Sequence, residues 1–415
     1  MGVRVKKIVA RQILDSRGNP TIECDVVTRS GFFRASVPSG KSVGKYEKHE
    51  LRDGGMNYFG QGVTKAVSII NKRVNKKLVG FDVGDQAKVD SYLMKLNSKG
   101  NVGSNTTLAV SLAMARAGAG SKALFECLKK YTKQKPSLPI PFCNVINGGV
   151  HASNNLSVQE FMIAPIKYKS FGLALENIYE VYTLLKTQLV SKYGKGSINV
   201  GDEGGFTPNV KKTSQVLDLL SKIIKRAGYE DKIKIALDCA ANEFYHNSKK
   251  KEYYLFDGKK VKAHKLSDIY LKLIKKYDII SIEDPFNDHD FREFNYLKKK
   301  SGVQVVGDDL LATNVARMNL AMKKDACNCL LLKPNQIGTL SQALEAGLFA
   351  LNNDWRVMAS HRSGETNDSF ISDLAVGLGC GQIKIGGLSR GERMAKYNQF
   401  LRLEQEHKKL KMARW

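Results

Sequence analysis

With 42% hydrophobic and 26% charged residues, the chain has the composition of a globular protein. Its 415 residues are too many for one ordinary hydrophobic core, so we expect two domains. No apolar run reaches the roughly 20 residues of a membrane span. The opening MGVRVKKIVARQIL has only a short apolar stretch, so we expect neither a signal peptide nor membrane insertion. The formal net charge of +26 is unusual, and it leaves an anionic partner as an alternative to a lysine-rich solvated surface.

Residues 1–135 are predicted to form a small α+β unit. Three segments are predicted to be strands, KKIVARQIL, TIECDVVTRSG and FFRASVP, and RGNP is predicted to form a turn between the first two. Apolar residues at helical spacing predict helices in VTKAVSIINKRVNKKL and in SNTTLAVSLAMARAGAG, the second with Ser104 or Asn105 as its N-cap. The loop SGKSVGKYE (39–47) lacks Walker spacing, so we interpret it as a mobile lid and not as a nucleotide-binding loop.

The stretch KPSLPIP marks the predicted domain boundary. It contains Pro136, Pro139 and Pro141, and proline cannot continue a helix or a central strand. We therefore predict a smaller N-terminal α+β domain over residues 1–135 and a larger α/β domain over residues 136–415. The second domain is long enough for an eight-stranded barrel.

The second domain is predicted to repeat a strand and a helix from Phe142 onward. Six apolar segments have a polar residue at or just beyond their end, namely KIKIALD, DIISIED, VQVVGDD, CLLLK, RVMASHR and GQIK. Most of these ends are one βα unit of about 25–30 residues apart, whereas the gap from Asp238 to Glu283 indicates one long unit or an insertion. This rhythm predicts a parallel (β/α)8-type barrel whose strand ends meet at one mouth, where ligands bind. The final segment, GERMAKYNQFLRLEQEHKKLKMARW, is predicted to be one closing amphipathic helix.

Three carboxylates at successive strand ends suggest a metal site. Asp238, Glu283 and Asp308 offer the oxygen ligands that Mg²⁺ prefers. Asp284 and Asp309 are their neighbours, and strand alternation predicts that only one residue of each pair faces the centre. A single Asp at a strand end more often caps a helix. Three in register, followed by two lysines, favour the metal site over three separate caps.

The two lysines, Lys333 and Lys384, end strands further along. A lysine among apolar residues is costly unless paired, and nearby cations would lower its pKa and yield a neutral amine that can take a proton from carbon. The alternative is an ion pair between each lysine and a buried acid. Both can hold, with one lysine pairing with substrate and the other acting as base.

Other polar groups lie near predicted strand ends. HRSGET (361–366) offers donors to a phosphate or carboxylate. GDEGG (201–205) holds Glu203 in a tight turn, where the carboxyl can be a general acid if burial raises its pKa. His151 and Glu160 lie near the first barrel strands, although a lone histidine is more often a structural hydrogen-bonding group.

Together these strings resemble the enolase family. The matching strings, in family order from residue 13 to the C-terminus, are ILDSRGNPT, VPSGKSVG, NVINGG, QEFMIAP, GDEGGFTPN, ALDCA, SIEDPF, GDDL, LLLKPNQIGT, SHRSGET and GERMAKYNQ. The resemblance implies an enolase barrel after a smaller lid and dimerisation domain. It also implies dehydration of 2-phosphoglycerate to phosphoenolpyruvate with two Mg²⁺ ions per active site.

The resemblance also implies residue roles. Lys333 would remove the C2 proton, Glu203 with Glu160 close by would help the C3 hydroxyl leave, and Lys384 would stabilise the intermediate. The implied metal ligands are Asp238, Glu283 and Asp308 for the first ion and Ser42 for the second. The implied substrate-binding residues are Gln159, His151, Glu160, Lys333, His361, Arg362, Ser363 and Lys384, with Arg362 and Ser363 at the phosphate and His151 on a mobile loop.

Two segments depart from the family pattern. The lid is usually S-G-A-S-T-G, and here it reads Ser39-Gly40-Lys41-Ser42-Val43-Gly44. After Lys384 the usual T-G-A-P is replaced by Ile385-Gly386-Gly387-Leu388. We expect the lid changes to affect closure and substrate affinity and not the chemistry.

Two other functions were weighed against a phosphopyruvate hydratase. A different enzyme of the superfamily is disfavoured by the GDEGG, HRS and lid strings, which are particular to the phosphoglycerate enzyme. A protein that binds nucleic acid through its basic surface is the second alternative, and it is also not favoured. The seven scattered cysteines favour reduced thiols and a cytoplasmic location. The resemblance implies a homodimer through the small domain, with an octameric ring as an alternative.

Overall fold

The computed structural model describes residues 2–41, 43–248 and 251–415, and its chain begins with an antiparallel sheet. The sheet has the order β1 (Lys7–Leu14), β2 (Pro20–Thr28) and β3 (Gly31–Ser36). These are the three strands that the sequence predicts, so this part of the prediction is confirmed.

The helices that follow cover this sheet. Their bounds are α1 (Thr64–Ile69), α2 (Asn75–Leu78), α3 (Gln86–Leu96), α4 (Ser104–Ala119) and α5 (Leu124–Leu128). A π-helical turn, Ile70–Val74, joins α1 to α2, so the predicted first helix is one continuous element. The predicted N-cap of α4 is wrong: Gly103 occupies that position, while Ser104 Oγ donates to Lys48 O and Asn105 Oδ1 accepts from Leu51 N. These two side chains therefore form hydrogen bonds with the backbone of the neighbouring 48–51 segment and do not cap the helix.

Eight strands close into a barrel. The strands after β3 are β4 (Ile140–Asn147), β5 (Glu160–Pro165), β6 (Ile233–Asp238), β7 (Tyr245–Ser248), β8 (Lys251–Phe256), β9 (Lys259–Val261), β10 (Ile279–Glu283), β11 (Gln304–Gly307), β12 (Cys329–Leu332), β13 (Arg356–Ser360) and β14 (Gly381–Lys384). Around the barrel the order is β4-β5-β6-β10-β11-β12-β13-β14, and β14 pairs with β4. The predicted barrel and the six predicted strands are confirmed.

The start of the barrel differs from the predicted parallel repeat. Strand β5 runs antiparallel to both β4 and β6. No helix of the described chain joins β4 to β5; the link bends back through the short 3₁₀ turn Gly149–His151. A parallel partner would need a crossover of a dozen or more residues, usually a helix. As a result Glu160, at the beginning of β5, lies at the same mouth as Asn147, at the end of β4.

The long gap between Asp238 and Glu283 contains an insertion. Strands β7, β8 and β9 form their own three-stranded antiparallel sheet between β6 and the following helix. The predicted alternative of an insertion is therefore confirmed.

Eight helices of the described chain accompany the barrel. They are α6 (Phe171–Tyr193), α7 (Thr213–Arg226), α8 (Ala263–Tyr277), α9 (Phe291–Ser301), α10 (Val315–Lys323), α11 (Leu340–Leu351), α12 (Phe370–Leu378) and α13 (Gly391–Glu406). In α7, Ile223 and Ile224 are buried while Lys222 and Lys225 are exposed, as expected for helices that turn lysines outward. The closing helix is shorter than predicted, because α13 ends at Glu406 and Met412 then pairs with Leu138 in a β-bridge. Among the described residues, no helix combines the length and apolar character that crossing a bilayer requires.

A cluster of ion pairs around the buried carboxylate of Asp25 connects the three strands of the N-terminal sheet. Asp25 on β2 accepts from Arg11 Nη2 at 2.5 Å and from Arg34 Nε and Nη2 at 2.8 and 2.9 Å. Burial would raise the pKa of Asp25, but the hydrogen bonds and charges of Arg34 and Arg11 outweigh it and lower the pKa. The folded state therefore binds this proton less readily than the unfolded chain, and the stabilisation exists above about pH 4 and is lost as pH falls through the folded pKa.

We expect Asp25→Asn to lower the free energy of unfolding by about 2 kcal/mol at pH 7, because charge-assisted hydrogen bonds to a largely buried carboxylate are lost. Urea unfolding at pH 7 and pH 3 measures this. The gap between variant and wild type should shrink at pH 3, whereas Asp231→Asn, at an exposed site, should change little at either pH. An equal gap at both pH values would contradict this account.

Candidate active site

Strand register brings the predicted polar residues to one mouth of the barrel. Asp238 pairs with Glu283 on one side and with Glu160 on the other, and Lys384 pairs with Ser360. One cavity at this mouth is lined by most of the predicted site residues: His151, Gln159, Glu160, Glu203, Asp238, Asp308, Lys333, His361, Arg362, Ser363 and Lys384. Glu283 joins this group through Lys384, and the predicted metal ligand Ser42 lies outside the described residues.

Lys384 is the centre of a buried charge cluster. Its Nζ atom lies 2.8 Å from Asp238 Oδ2, 2.9 Å from Glu283 Oε1 and 3.1 Å from Glu160 Oε1. Burial would lower the pKa of Lys384, but these carboxylates outweigh it and raise the pKa well above its usual value. The pairing alternative is therefore correct for this lysine. One ammonium facing three carboxylates leaves an excess of negative charge, which a cation would neutralise.

Lys333 forms a second buried ion pair. Its Nζ atom lies 2.5 Å from Asp308 Oδ2, and the other oxygen of Asp308 accepts from Gln336 Nε2 at 2.9 Å. The expectation that nearby cations lower the pKa of Lys333 is not met. Burial, the largest single influence, acts in that direction together with Arg362 and Lys384, but the carboxylates of Asp308 and Glu283 combine against them and the pKa is raised. The ion-pair alternative is therefore correct for this lysine as well, although the sequence did not identify Asp308, on a separate strand, as the partner.

The neighbours of the metal candidates also reach the mouth. Asp284 accepts from the backbone N–H groups of Asp308 at 3.0 Å and Asp309 at 2.7 Å. The prediction that only one residue of each pair faces the centre is wrong for Asp308 and Asp309, which both line the cavity, whereas of the other pair Asp284 lines it and Glu283 does not. Strand alternation does not apply because β10 ends at Glu283 and β11 at Gly307, and Asp284 has a positive φ of 39°. Burial and the adjacent Asp308 raise the pKa of Asp309 to about 7.

A buried pair of glutamates lies beside two histidines. The Oε2 atom of Glu203 is 3.6 Å from His151 Nδ1 and 3.6 Å from His361 Nε2. Burial and the neighbouring Glu203 raise the pKa of Glu160 well above its usual value. Burial acts the same way on Glu203, but the two imidazoles outweigh it and lower its pKa. The raised pKa that the sequence led us to expect at Glu203 is thus found at Glu160.

Close backbone packing fixes the turn that carries Glu203. The carbonyl of Glu203 accepts from Gly387 N at 2.8 Å. A Cβ atom on Gly386 would lie 2.5 Å from that carbonyl, and Gly386 has a φ of +82°, so no other residue fits without strain. The substitution of the family's T-G-A-P by Ile-Gly-Gly-Leu therefore keeps the glycine on which this contact depends.

The predicted phosphate residues meet the predicted lid. Arg362 Nη1 and Nη2 bind the Glu47 carboxylate at 2.8 and 3.1 Å, and Ser363 Oγ accepts from Lys41 N at 2.8 Å. Lys41 Nζ donates to Val150 O at 2.8 Å. The sequence placed 39–47 near the site, but it gave no partner for Glu47 or for the unusual lysine.

Arg393 is a site residue that the sequence reading missed. It is fully buried on α13 and contacts His361 and three backbone carbonyls near the mouth. In the sequence, Arg393 is one arginine in a helix predicted to be amphipathic. That alone does not indicate a functional role.

The donor set fits a hard divalent cation. Asp238, Glu283 and Asp308 provide only carboxylate oxygens, as Mg²⁺ prefers. Within the described residues, the buried Oε2 atom of Glu283 has no hydrogen-bond partner, and neither has Oε2 of Glu160. Buried carboxylate oxygens of this kind are costly unless a donor or a cation meets them.

Two family models match the chain. The one described as "Enolase, N-terminal domain" covers residues 5–128, and "Enolase, C-terminal TIM barrel domain" covers residues 135–412. The enolase of Methanocaldococcus jannaschii is 47% identical over 408 residues, covering 97% of this chain and 95% of the relative. The enolase of Pyrococcus furiosus is 48% identical over 408 residues, covering 96% and 94%. Enolase 1 of Entamoeba histolytica is 48% identical over 421 residues, covering 97% and 96%.

Proposed function

The chain belongs to the enolase family and is a lyase of the phosphopyruvate hydratase class, and on this premise we propose how its residues dehydrate 2-phosphoglycerate to phosphoenolpyruvate. In this proposal Lys333 is the base and Glu203 is the acid. The observation that carries it is the meeting, in one cavity, of a lysine at one strand end with two buried glutamates, of which Glu160 has a pKa well above its usual value.

We propose that the reaction depends on two Mg²⁺ ions. Asp238, Glu283 and Asp308 would hold the first, and their all-oxygen donor set supports this assignment. Ser42 would join the second. When bound, Mg²⁺ would supply positive charge that makes the carbon next to the substrate carboxylate more acidic.

Lys333 would take the proton from C2 of the substrate. Its amine must be neutral to do so, whereas in this structure the negative charge of Asp308 favours the protonated form of Lys333. The C2–H bond breaks as the new N–H bond forms, and the electron pair spreads onto the substrate carboxylate. The ammonium of Lys384, held among three carboxylates, lies where it can stabilise that charge.

Glu203 would then help the C3 hydroxyl leave. The electron pair left by the C2 proton forms the C2=C3 double bond as the C3–O bond breaks, the leaving oxygen takes a proton, and water departs. The proton shared with Glu160 supplies this step, because the adjacent carboxyls cannot both ionise easily. His151 and His361 bracket Glu203 and limit the positions that its carboxylate can adopt.

Four further residues would bind and orient the substrate. Arg362 and Ser363 would hold the phosphate, to which the guanidinium can donate two parallel hydrogen bonds. Glu47 now occupies that edge of Arg362, so substrate binding requires it to be displaced. His361 and Gln159 would contact the remaining substrate oxygens, and Gln159 Nε2 is 3.4 Å from Asp238 Oδ2.

The test is the appearance of the enol product in the ultraviolet. We expect purified protein with Mg²⁺ and 2-phosphoglycerate to form phosphoenolpyruvate. Excess EDTA should lower the rate by about 10³-fold or more, because charge stabilisation at the substrate carboxylate is lost. Restored Mg²⁺ should restore the rate. A rate that is unchanged by EDTA, or no product with excess Mg²⁺, would contradict the proposal.

The assembly is proposed by the same family reasoning. We propose a homodimer through a domain spanning residues 1–135, attached to a catalytic domain spanning 136–415, with a cytoplasmic location supported by seven unpaired cysteines. Light scattering tests the dimer against an octamer. Nucleic-acid binding is not favoured, and binding that weakens steeply with salt would revive it.

A further inference from the structure

Arg393 is buried in the first turn of α13, outside the cavity that would hold the substrate. Its Nη1 atom lies 2.6 Å from His361 Nδ1 and donates to Arg362 O at 2.6 Å. Its Nη2 atom donates to Ser363 O at 2.7 Å and to Asp202 O at 2.9 Å. One guanidinium therefore connects the segment that carries His361 with the turn that carries Glu203.

The contact with His361 fixes the protonation of the ring. A guanidinium can only donate hydrogen bonds, so Nδ1 of His361 must be the acceptor. In a neutral imidazole the hydrogen is then on Nε2. Nε2 is the atom nearest Glu203 Oε2, at 3.6 Å, and among the described residues it has no hydrogen-bond partner.

We propose that Arg393 is a positioning residue that fixes His361 in its Nε2–H tautomer and so directs a hydrogen-bond donor at Glu203. Without the arginine, the ring can present a lone pair to the carboxylate instead. That arrangement would repel ionised Glu203 and disturb the proton shared with Glu160. The catalytic consequence rests on the proposed role of Glu203, whereas the tautomer can be measured without substrate.

The charged surroundings of His361 keep it neutral. Burial, together with the charges of Arg393 on α13 and Lys384 on β14, lowers the pKa of His361 to about 3, although Glu203 acts in the opposite direction. His151 Nδ1 lies at the same distance, 3.6 Å, from the same oxygen of Glu203. The ring should therefore stay neutral, with one tautomer, throughout the pH range in which the protein is assayed.

Nitrogen-15 NMR of histidine-labelled protein tests the proposal, with His361→Gln to assign the signal among the seven histidines. Wild type should show a proton on Nε2 of His361 that does not change from about pH 5 to 9. In Arg393→Met the ring should change tautomer or begin to titrate. The kcat should fall by about 10²-fold with a small change in KM, since outer-shell partners of this kind cost roughly 10–100-fold. The pH profile should shift with it.

Two further variants keep the test decisive. Arg402→Met, on the same helix but hydrogen-bonded to the half-buried Gln399 and not to His361, should leave the His361 signal unchanged. Arg393→Lys keeps the charge without the forked geometry, so it should show a mixture of tautomers, and it replaces Arg393→Met if that variant does not fold. An Nε2–H signal unchanged in whichever Arg393 variant folds would overturn the proposal, even if activity were lost. If the wild type lacks hydratase activity while the Arg393 variant still changes the tautomer of His361, the proposed function is contradicted and this inference stands.

Discussion

Lys384→Met is expected to lower the free energy of unfolding by about 3–5 kcal/mol at pH 7, since it leaves three buried carboxylates without their shared cation. The loss should shrink as pH is lowered toward 5. Unpaired buried carboxylates have a folded-state pKa above the unfolded value, so protonation stabilises the folded state as pH falls. The kcat should fall by at least about 10²-fold with the ammonium gone.

Lys396→Met is the matched control for this variant. Lys396 is also fully buried, but it pairs with the single carboxylate of Glu365, away from the cavity. Its replacement should also destabilise the fold, with no dependence on added Mg²⁺. Lys384→Met should instead gain stability from Mg²⁺, because the ion would offset the charge of the three carboxylates. Chemical unfolding at several pH values measures both variants, and a pH-independent loss in Lys384→Met would contradict this reading of the cluster.

Lys333→Ala is expected to lower kcat by at least about 10³-fold, because the proposed base is removed. Stability should change less than in Lys384→Met, since Asp308 keeps its hydrogen bond from Gln336. A primary alkylamine added to this variant should restore part of the rate, and the rescue should increase with the fraction of neutral amine. Lys323→Ala, at an exposed position on α10, is the control and should retain full activity. Activity within tenfold of wild type in Lys333→Ala would rule out its role as base.

Much of the barrel could be predicted because its strands are short apolar runs bounded by polar residues. The spacing of Glu283, Asp308 and Lys333 follows from the length of a βα unit, and this alone placed them at one mouth. The reversed direction of β5 was not predictable in this way. An apolar strand has the same composition in either direction, and Glu160 is the first residue of its strand, whereas Asp238, Glu283 and Lys384 are the last residues of theirs.

The sequence did not predict which charged side chains pair with one another inside the site. The residue types predicted a lysine among carboxylates, but the pKa of Lys333 depends on a 2.5 Å contact between separate strands. The same holds for the proton of the Glu160–Glu203 pair, which depends on two histidines on other loops. Arg393 acts through contacts with residues 202 and 361–363, more than 25 positions away in the chain, and no periodicity predicts such contacts.

The most direct measurement of the proposed chemistry is exchange of the C2 hydrogen of 2-phosphoglycerate with solvent deuterium, followed by NMR alongside product formation. Wild type should catalyse both reactions. Glu203→Gln should still exchange the C2 hydrogen while forming product at least about 10²-fold more slowly, since only the departure of the hydroxyl needs the acid. Lys333→Ala should lose exchange and product together. Exchange that persists at the wild-type rate in Lys333→Ala would contradict the assignment of Lys333 as the base.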